Sequence, residues 1–233
     1  MRWLLLALIS GLIFIYGHYI DSTALRLATK GIPVIALIFW LRAAPADSYR
    51  RWISIGLLFG LGGDILLDIP EAYLANQFVL GLGSFLIGHL AYIRAYTTET
   101  RRLAPLGLAF AAICGGGMLA ILNSSPEGLG AFFLPVAIYA LVISAMLWRA
   151  VARIGAPGVP RDSALLAAGG ALLFVISDAM IGINRFVQPF DAAPYAIIIT
   201  YWLGQFGIAA SVMRRNVSTG ARMPPLATAG SAS

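Results

Sequence analysis

The chain alternates long apolar runs with short polar joins. A membrane-spanning helix needs about 20 mostly apolar residues. Eight runs meet that need: Trp3–Ile20, Ala24–Leu41, Trp52–Asp68, Phe78–Tyr96, Leu103–Leu122, Gly130–Trp148, Ala164–Phe186 and Pro194–Met213. The second opens on a polar turn, "RLATKGIP", and the third is short and ended by Pro70. Short joins make consecutive helices antiparallel neighbours. The pattern therefore predicts an all-α polytopic membrane bundle of eight transmembrane helices, one domain over residues 1–213. The polar, small-residue stretch 214–233 has the composition of a disordered cytoplasmic tail. The opening "MRWLLLALISGLIFIYGHYI" is long for a signal-peptide core and lacks a small-x-small cleavage site, so it is expected to be the first spanning helix.

Composition agrees with this pattern. Hydrophobic residues make up 60% of the chain and charged residues 11%, against about 25% charged in a soluble domain. Too few polar side chains remain to cover a water-facing surface. The net charge of +6 does not point to nucleic acid, because the basic residues lie between the apolar runs and not on one patch. With the N-terminus inside, thirteen arginines fall on the inner side: Arg2, Arg42, Arg50, Arg51, Arg94, Arg101, Arg102, Arg149, Arg153, Arg161, Arg214, Arg215 and Arg222. Only Arg26, Lys30 and Arg185 fall on the outer side. That bias predicts that both termini are cytoplasmic.

Several chemistries drop out. The one cysteine, Cys114, allows neither a disulfide framework nor a cysteine-rich metal site. The two histidines cannot form a three-histidine zinc site. The glycine runs lie inside apolar helices, where packing explains them, and no phosphate-binding loop or G-x-S-x-G stretch is present. No metal and no cofactor is expected.

The polar residues inside the spans carry what chemistry remains. Each ionisable group at a helix centre costs roughly 2.5–3.5 kcal/mol on insertion scales. The set is Lys30, Asp64, Asp68, His89 and Asp178, with Asn184, Arg185 and Gln205 as polar company. His18 and Asp21 belong to the interface at the end of the first helix. At about 1.5 Å of rise per residue, Asp64 lies roughly 6 Å deeper than Asp68. Asp178 falls past the middle of the seventh span, and His89 and Gln205 lie near the middle of theirs. These depths converge on one cavity between the midplane and the outer surface. Spacing supports it: Asp64 and Asp68, and Tyr201 and Gln205, are i, i+4 pairs, and His89 and Tyr92 are i, i+3, so each pair shares a helix face. Asp178 and Arg185 share a face at i, i+7.

Two or three carboxylates in a partly dry cavity offer a protonated acid and a carboxylate base at once. Such a pair suits acid-assisted hydrolysis of a lipid-like molecule entering from the bilayer. The same groups suit proton movement in a transporter or flippase of small amphiphiles, or buried ion pairs in a structural protein. Composition and spacing leave these alternatives open.

The segments "GLLFGLGGDILLD", "GLGSFLIGHLAYIRAY", "AAGGALLFVISDAMIGINRF" and "YWLGQFGIAAS" resemble the signature segments of the YhhN family of eight-helix membrane proteins. The resemblance runs from Thr29 to about Ser211. It implies a lysoplasmalogenase activity: hydrolysis of the vinyl ether bond of a lysoplasmalogen or related lysolipid to a fatty aldehyde and a glycerophospho-base. The implied partners are a lysophospholipid-like substrate and membrane lipids, with no nucleic acid, and the implied location is the bacterial inner (plasma) membrane. The family's polar motif positions fall on Lys30 and Pro33, Asp64 and Asp68, His89 and Tyr92, Ser177 and Asp178, Arg185 and Phe186, and Tyr201 and Gln205. One departure is "FGLGGD", where many relatives carry a serine before the Gly-Asp pair; no titratable group is lost by it. On this reading Asp64 and Asp178 are the expected acid and base or cation stabiliser, in either order, and Asp68 holds water or tunes Asp64. His89 and Gln205 orient groups by hydrogen bonds, with Tyr92, Asn184 and Tyr201 beside them. Lys30 and Arg185 face the substrate phosphate.

Overall fold

The computed structural model describes residues 2–125 and 128–220, the last five by backbone alone. Among the described residues there are nine α-helices, one short 3-10 turn and no strand. The helices are α1 (Arg2–Tyr19), α2 (Thr23–Thr29), α3 (Ile32–Leu41), α4 (Ser48–Asp68), α5 (Gln77–Glu99), α6 (Pro105–Leu122), α7 (Phe133–Val151), α8 (Arg161–Phe186) and α9 (Ala193–Gly220). The turn Gly130–Phe132 leads into α7. The sequence places the tail from residue 214; residues 214–220 instead continue α9, and the stretch from 221 onward lies outside the described residues.

Seven of these helical stretches are long and apolar enough to cross a membrane: α1, α2 with α3, α5, α6, the turn with α7, α8 and α9. Helix α4 has spanning length, at 21 residues. It carries Arg50 and Arg51 in its first turn and Asp64 and Asp68 near its end, so every 18-residue window of it holds three charges, which sets it apart from the other seven. The fold is thus an all-helical membrane architecture with seven or eight helices of spanning character.

The second predicted span is not one helix. It breaks at Lys30–Gly31 into α2 and α3. Pro33, in the first turn of α3, has no amide hydrogen for the carbonyl a turn earlier, so the backbone ladder is interrupted there. The interruption puts Lys30 at a helix end, where its ammonium reaches Asp68 Oδ1 at 2.7 Å.

Glycine sets how closely the helices approach. At the α8–α9 crossing, a Cβ on Gly170 would lie 2.6 Å from the Gly204 carbonyl oxygen and 2.7 Å from the Ile208 nitrogen. Those neighbours are backbone and cannot move aside, so this is a small-residue crossing of the kind membrane helices use. Gly170→Ala is therefore expected to push the helices apart and cost roughly 1–3 kcal/mol. A Cβ on Gly169 meets nothing within 4 Å, so Gly169→Ala should leave the thermal unfolding midpoint in detergent where it is. Equal midpoints for the two variants would refute this view of the crossing.

One end of the bundle is tied by a buried ion cluster. Arg153 is fully buried. Its Nη2 lies 2.5 Å from Glu99 Oε2, and it donates 2.8 Å to Ser163 Oγ and 3.2 Å to the Ser163 carbonyl. Ser163 Oγ donates 2.7 Å to the Ser211 carbonyl, and Ser211 Oγ lies 2.8 Å from Tyr49 Oη. Arg215 bridges Glu99 at 2.5 Å and Asp47 at 2.7 Å. Asp47 also caps α4 by accepting from the Arg50 amide at 2.8 Å. The cluster joins α4, α5, α8, α9 and the turn after α7. The polar groups singled out from the sequence lie toward the other end.

Candidate active site

Helix α4 builds one wall by what its sequence omits. Gly56, Gly60 and Gly63 recur at helical spacing on one stripe. A Cβ on Gly56 would lie 2.1 Å from the Tyr92 ring, one on Gly60 2.6 Å from Gln205 Nε2, and one on Gly63 2.5 Å from the Phe85 ring. The glycines are the sockets into which α5 and α9 insert these side chains. Asp64 follows at the end of the stripe.

A first polar network gathers around Asp64. The Tyr201 hydroxyl donates to Asp64 Oδ2 at 2.8 Å. Gln205 Nε2 donates to the Tyr201 oxygen at 3.2 Å, and the Tyr92 hydroxyl donates to Gln205 Oε1 at 2.6 Å. All four side chains are buried. The chain Tyr92–Gln205–Tyr201–Asp64 ends on a carboxylate, so each hydrogen bond in it has a fixed direction. Asp64 also opens on a pocket shared with Lys30, Gly31 and Asp68.

A second network gathers around Asp178. The Tyr139 hydroxyl donates to Asp178 Oδ2. His89 Nε2 lies 2.8 Å from the Tyr139 oxygen and 3.7 Å from Asp178 Oδ2. His89 is wholly buried, and its Nδ1 has no partner among the described residues. Because Tyr139 gives its proton to Asp178, His89 Nε2 is the donor to Tyr139. Asp178 and Tyr139 sit in the wall of a cleft between α5, α6, α7 and α8 that is otherwise mostly apolar, with Phe78, Leu82, Met118, Ile143 and Val175 among its lining. Asp178 is the charged residue in that lining.

An aromatic partition stands between the two networks. The Phe174 ring lies 4.7 Å from His89 on one side and 5.3 Å from Tyr201 on the other, both edge-on. Phe85 sits 6.0 Å from Phe174 and 5.9 Å from Tyr201. The single cavity expected from helix depths is thus divided. One carboxylate faces a polar pocket beside Lys30 and Asp68, and the other faces an apolar cleft.

Comparison with known proteins decides the family. The YhhN family matches over residues 25–212, which is most of the chain. The chain belongs to the YhhN family.

Relatives across this YhhN region carry one activity in their names. The chain is 32% identical over 192 residues to Lysoplasmalogenase TMEM86B of Homo sapiens, covering 81% of this chain and 75% of that protein. It is 32% identical over 213 residues to Lysoplasmalogenase of Mycobacterium tuberculosis, covering 84% and 78%. It is 34% identical over 190 residues to Lysoplasmalogenase TMEM86A of Homo sapiens, covering 79% and 76%. No solved structure matches the chain.

Within this YhhN chain the structure sorts the residues predicted from sequence. Asp64, Tyr92, Tyr201 and Gln205 meet in one network, and His89 and Asp178 in the other. Lys30 pairs with Asp68, not with Asp64, because the break before Pro33 leaves its ammonium level with the α4 end. Asn184 Oδ1 accepts from the Phe190 amide at 3.1 Å and so shapes the loop between α8 and α9. Ser177 Oγ donates to the Ile197 carbonyl at 3.0 Å, a contact between helices. Arg185 lies over the rings of Phe78, Phe132 and Phe186. Among the described residues, no group of three or more His, Cys, Asp or Glu side chains could hold a metal.

Sequence reasoning missed Tyr139. Its phenol is uncharged and lies in "LPVAIYALVISAM", a run with no ionisable neighbour, so a search for costly charges passes over it. Only the fold brings α7 against α5 and α8 and places its hydroxyl between His89 and Asp178.

Proposed function

We propose that this protein is an integral membrane hydrolase that cleaves the vinyl ether bond of a lysoplasmalogen or a closely related lysolipid. The proposal includes a single domain of eight transmembrane helices, with the Arg153 end and both termini cytoplasmic and the Lys30 and Arg185 end on the outer side of the plasma membrane. The arginine bias supports that direction. Length supports counting α4 as a span, and the names of the YhhN relatives support the substrate class. The observation that carries the mechanism is the position of Asp178: a carboxyl group in the wall of a mostly apolar cleft, hydrogen-bonded through Tyr139 to His89.

The reaction then runs on one carboxyl group used twice. Asp178, protonated, gives its proton to the second carbon of the alkenyl chain. The π electrons form that C–H bond, and the first carbon becomes an oxocarbenium ion. Water adds to that carbon, and its proton returns to Asp178 as base. The resulting hemiacetal collapses: its hydroxyl proton moves to the glycerol oxygen, the C–O bond breaks, and aldehyde and glycerol hydroxyl separate. Tyr139 and His89 form the relay that holds the proton for Asp178, since the pair imidazolium–carboxylate and the pair imidazole–carboxylic acid differ only by protons shifted along two hydrogen bonds. Asp64, held by Tyr201, supplies negative charge from behind the Phe174 and Phe85 rings. The polar pocket of Lys30 and Asp68 is the water side of the site. Asp68 keeps Lys30 in place there.

Removal of the relay tests this. Tyr139→Phe keeps the ring and the cleft but cuts the connection between His89 and Asp178. Turnover of a 1-alkenyl lysolipid by purified protein is expected to fall by roughly 10²-fold, with KM little changed and the acidic limb of the pH–rate profile displaced. A variant with wild-type turnover and an unmoved profile would remove Tyr139 and His89 from the mechanism.

A further inference from the structure

Arg185 is exposed beside two rings that line the apolar cleft, Phe78 and Phe186. Its guanidinium carbon lies 4.1 Å from the Phe78 ring centre, 5.6 Å from that of Phe132 and 5.7 Å from that of Phe186. The three rings brace one another, with centroids 5.8, 5.7 and 5.6 Å apart. Phe78 and Phe186 also line the cleft. Among the described residues, no carboxylate, carbonyl or hydroxyl accepts from the Arg185 guanidinium. The other cations at this end are already matched: Lys30 with Asp68 at 2.7 Å and Arg26 with Asp21 at 2.9 Å.

This arrangement has a physical meaning. Ring faces hold a guanidinium by cation–π attraction and leave its N–H donors at the plane edge unused. A planar fork that is fixed and carries unpaired donors matches a phosphate, which it can bind through two parallel hydrogen bonds. A lysine already neutralised by an aspartate offers much less. We infer that Arg185, clamped by Phe78, Phe132 and Phe186, is the phosphate-binding residue of the substrate site, and that the ligand is a single-chain lipid phosphate whose reactive carbons reach Asp178. The inference rests on the hydrolase reading above and assigns the head-group position that reading leaves undefined between Lys30 and Arg185.

Distance along α8 supports the assignment. Asp178 and Arg185 are seven residues apart on one face, a rise of roughly 10.5 Å. In a 1-alkenyl glycerophospholipid the ether carbon and the phosphorus are roughly 7–8 Å apart over six covalent bonds of about 1.5 Å. A charge-assisted hydrogen bond adds about 3 Å. The two lengths are of the same order, so one extended molecule can place its vinyl ether at Asp178 and its phosphate near Arg185.

The test compares substrates with and without the phosphate. Purified full-length protein in detergent is given 1-alkenyl-lysophosphocholine or the phosphate-free 1-alkenylglycerol. Arg185→Gln is expected to reduce the preference for the phosphate substrate, as the ratio of kcat/KM values, about 10- to 100-fold, mainly through KM. Arg185→Lys should recover part of it, Phe78→Leu should lose part, and Phe78→Tyr should restore it. Lys30→Gln is expected to lower both substrates alike. A parallel measurement follows binding of the uncleavable 1-alkyl-lysophosphocholine and 1-alkylglycerol by thermal shift, with the same Arg185 dependence expected. Loss of both substrates alike in Arg185→Gln, or loss of the preference in Lys30→Gln instead, would overturn the assignment. If no substrate is cleaved yet binding shows the Arg185-dependent preference, the hydrolase reading fails and the phosphate site stands.

Discussion

Asp178→Asn is expected to lower aldehyde release from a 1-alkenyl lysolipid by roughly 10²–10⁴-fold, the range that a positioned general acid contributes. Asparagine fills the same volume and can still accept from Tyr139, so the fold and the cleft should survive. The amide has no proton acidic enough to transfer to carbon and cannot take one from water afterwards. Asp64→Asn should be milder, because Asp64 acts by its charge across the Phe174 and Phe85 partition and not by touching the reacting carbon. The ranking of the two variants separates the roles: turnover of each is measured on protein whose unfolding midpoint matches the wild type. A greater loss in Asp64→Asn than in Asp178→Asn would reverse the assignment of acid and stabiliser.

The second large effect lies at the other end of the molecule. Arg153→Met removes the buried partner of an ion pair and leaves Glu99 to Arg215. Breaking a buried pair from one side costs about 3–5 kcal/mol when the remaining charge is left without a partner; with Arg215 still beside Glu99, the expected cost is about 3 kcal/mol, the low end of that range. It also strands the hydroxyl of Ser163, which links α8 to the Ser211 carbonyl of α9. The expected result is a large fall in resistance to heat or denaturant in detergent. Activity per folded molecule should stay near that of the wild type, since no member of the cluster reaches either carboxylate of the site. Wild-type stability in Arg153→Met would mean that the cluster does not tie the helices together.

The fold was legible where periodicity and composition act alone. Each apolar run of spanning length falls on helix, and the ends agree within about four residues except at α9, which continues from the expected Met213 to Gly220. Two points were hidden. The break at Lys30–Gly31 sits inside an apolar run, and only Pro33 hints at it. Helix α4 reads as a span by length, yet the aspartates that give it a function weaken its apolar signal.

The candidate site was legible in its charges and not in its partition. Asp64, Asp178, His89 and Gln205 stand out because burying such groups is costly. That cost says nothing about which of them meet. Tyr92 and His89 lie three residues apart on α5 with ring centroids 6.4 Å apart, but they join different networks, because the Tyr92 hydroxyl meets Gln205 of α9 and His89 Nε2 meets Tyr139 of α7. Those rings and Tyr139 are ordinary in an apolar helix, so nothing in a single sequence marks them. The glycines before Asp64 were legible as a close approach, and the structure supplies the occupants: Tyr92, Gln205 and Phe85.

Proton transfer to carbon is the central claim, and isotope labelling reads it directly. Purified protein in D₂O is incubated with a 1-alkenyl lysolipid, the aldehyde is trapped at once as an oxime, and its mass is measured. The account predicts a fatty aldehyde carrying one deuterium at its second carbon, formed by the wild type and not by Asp178→Asn. An aldehyde without that deuterium, or no aldehyde from the wild-type protein, would contradict it.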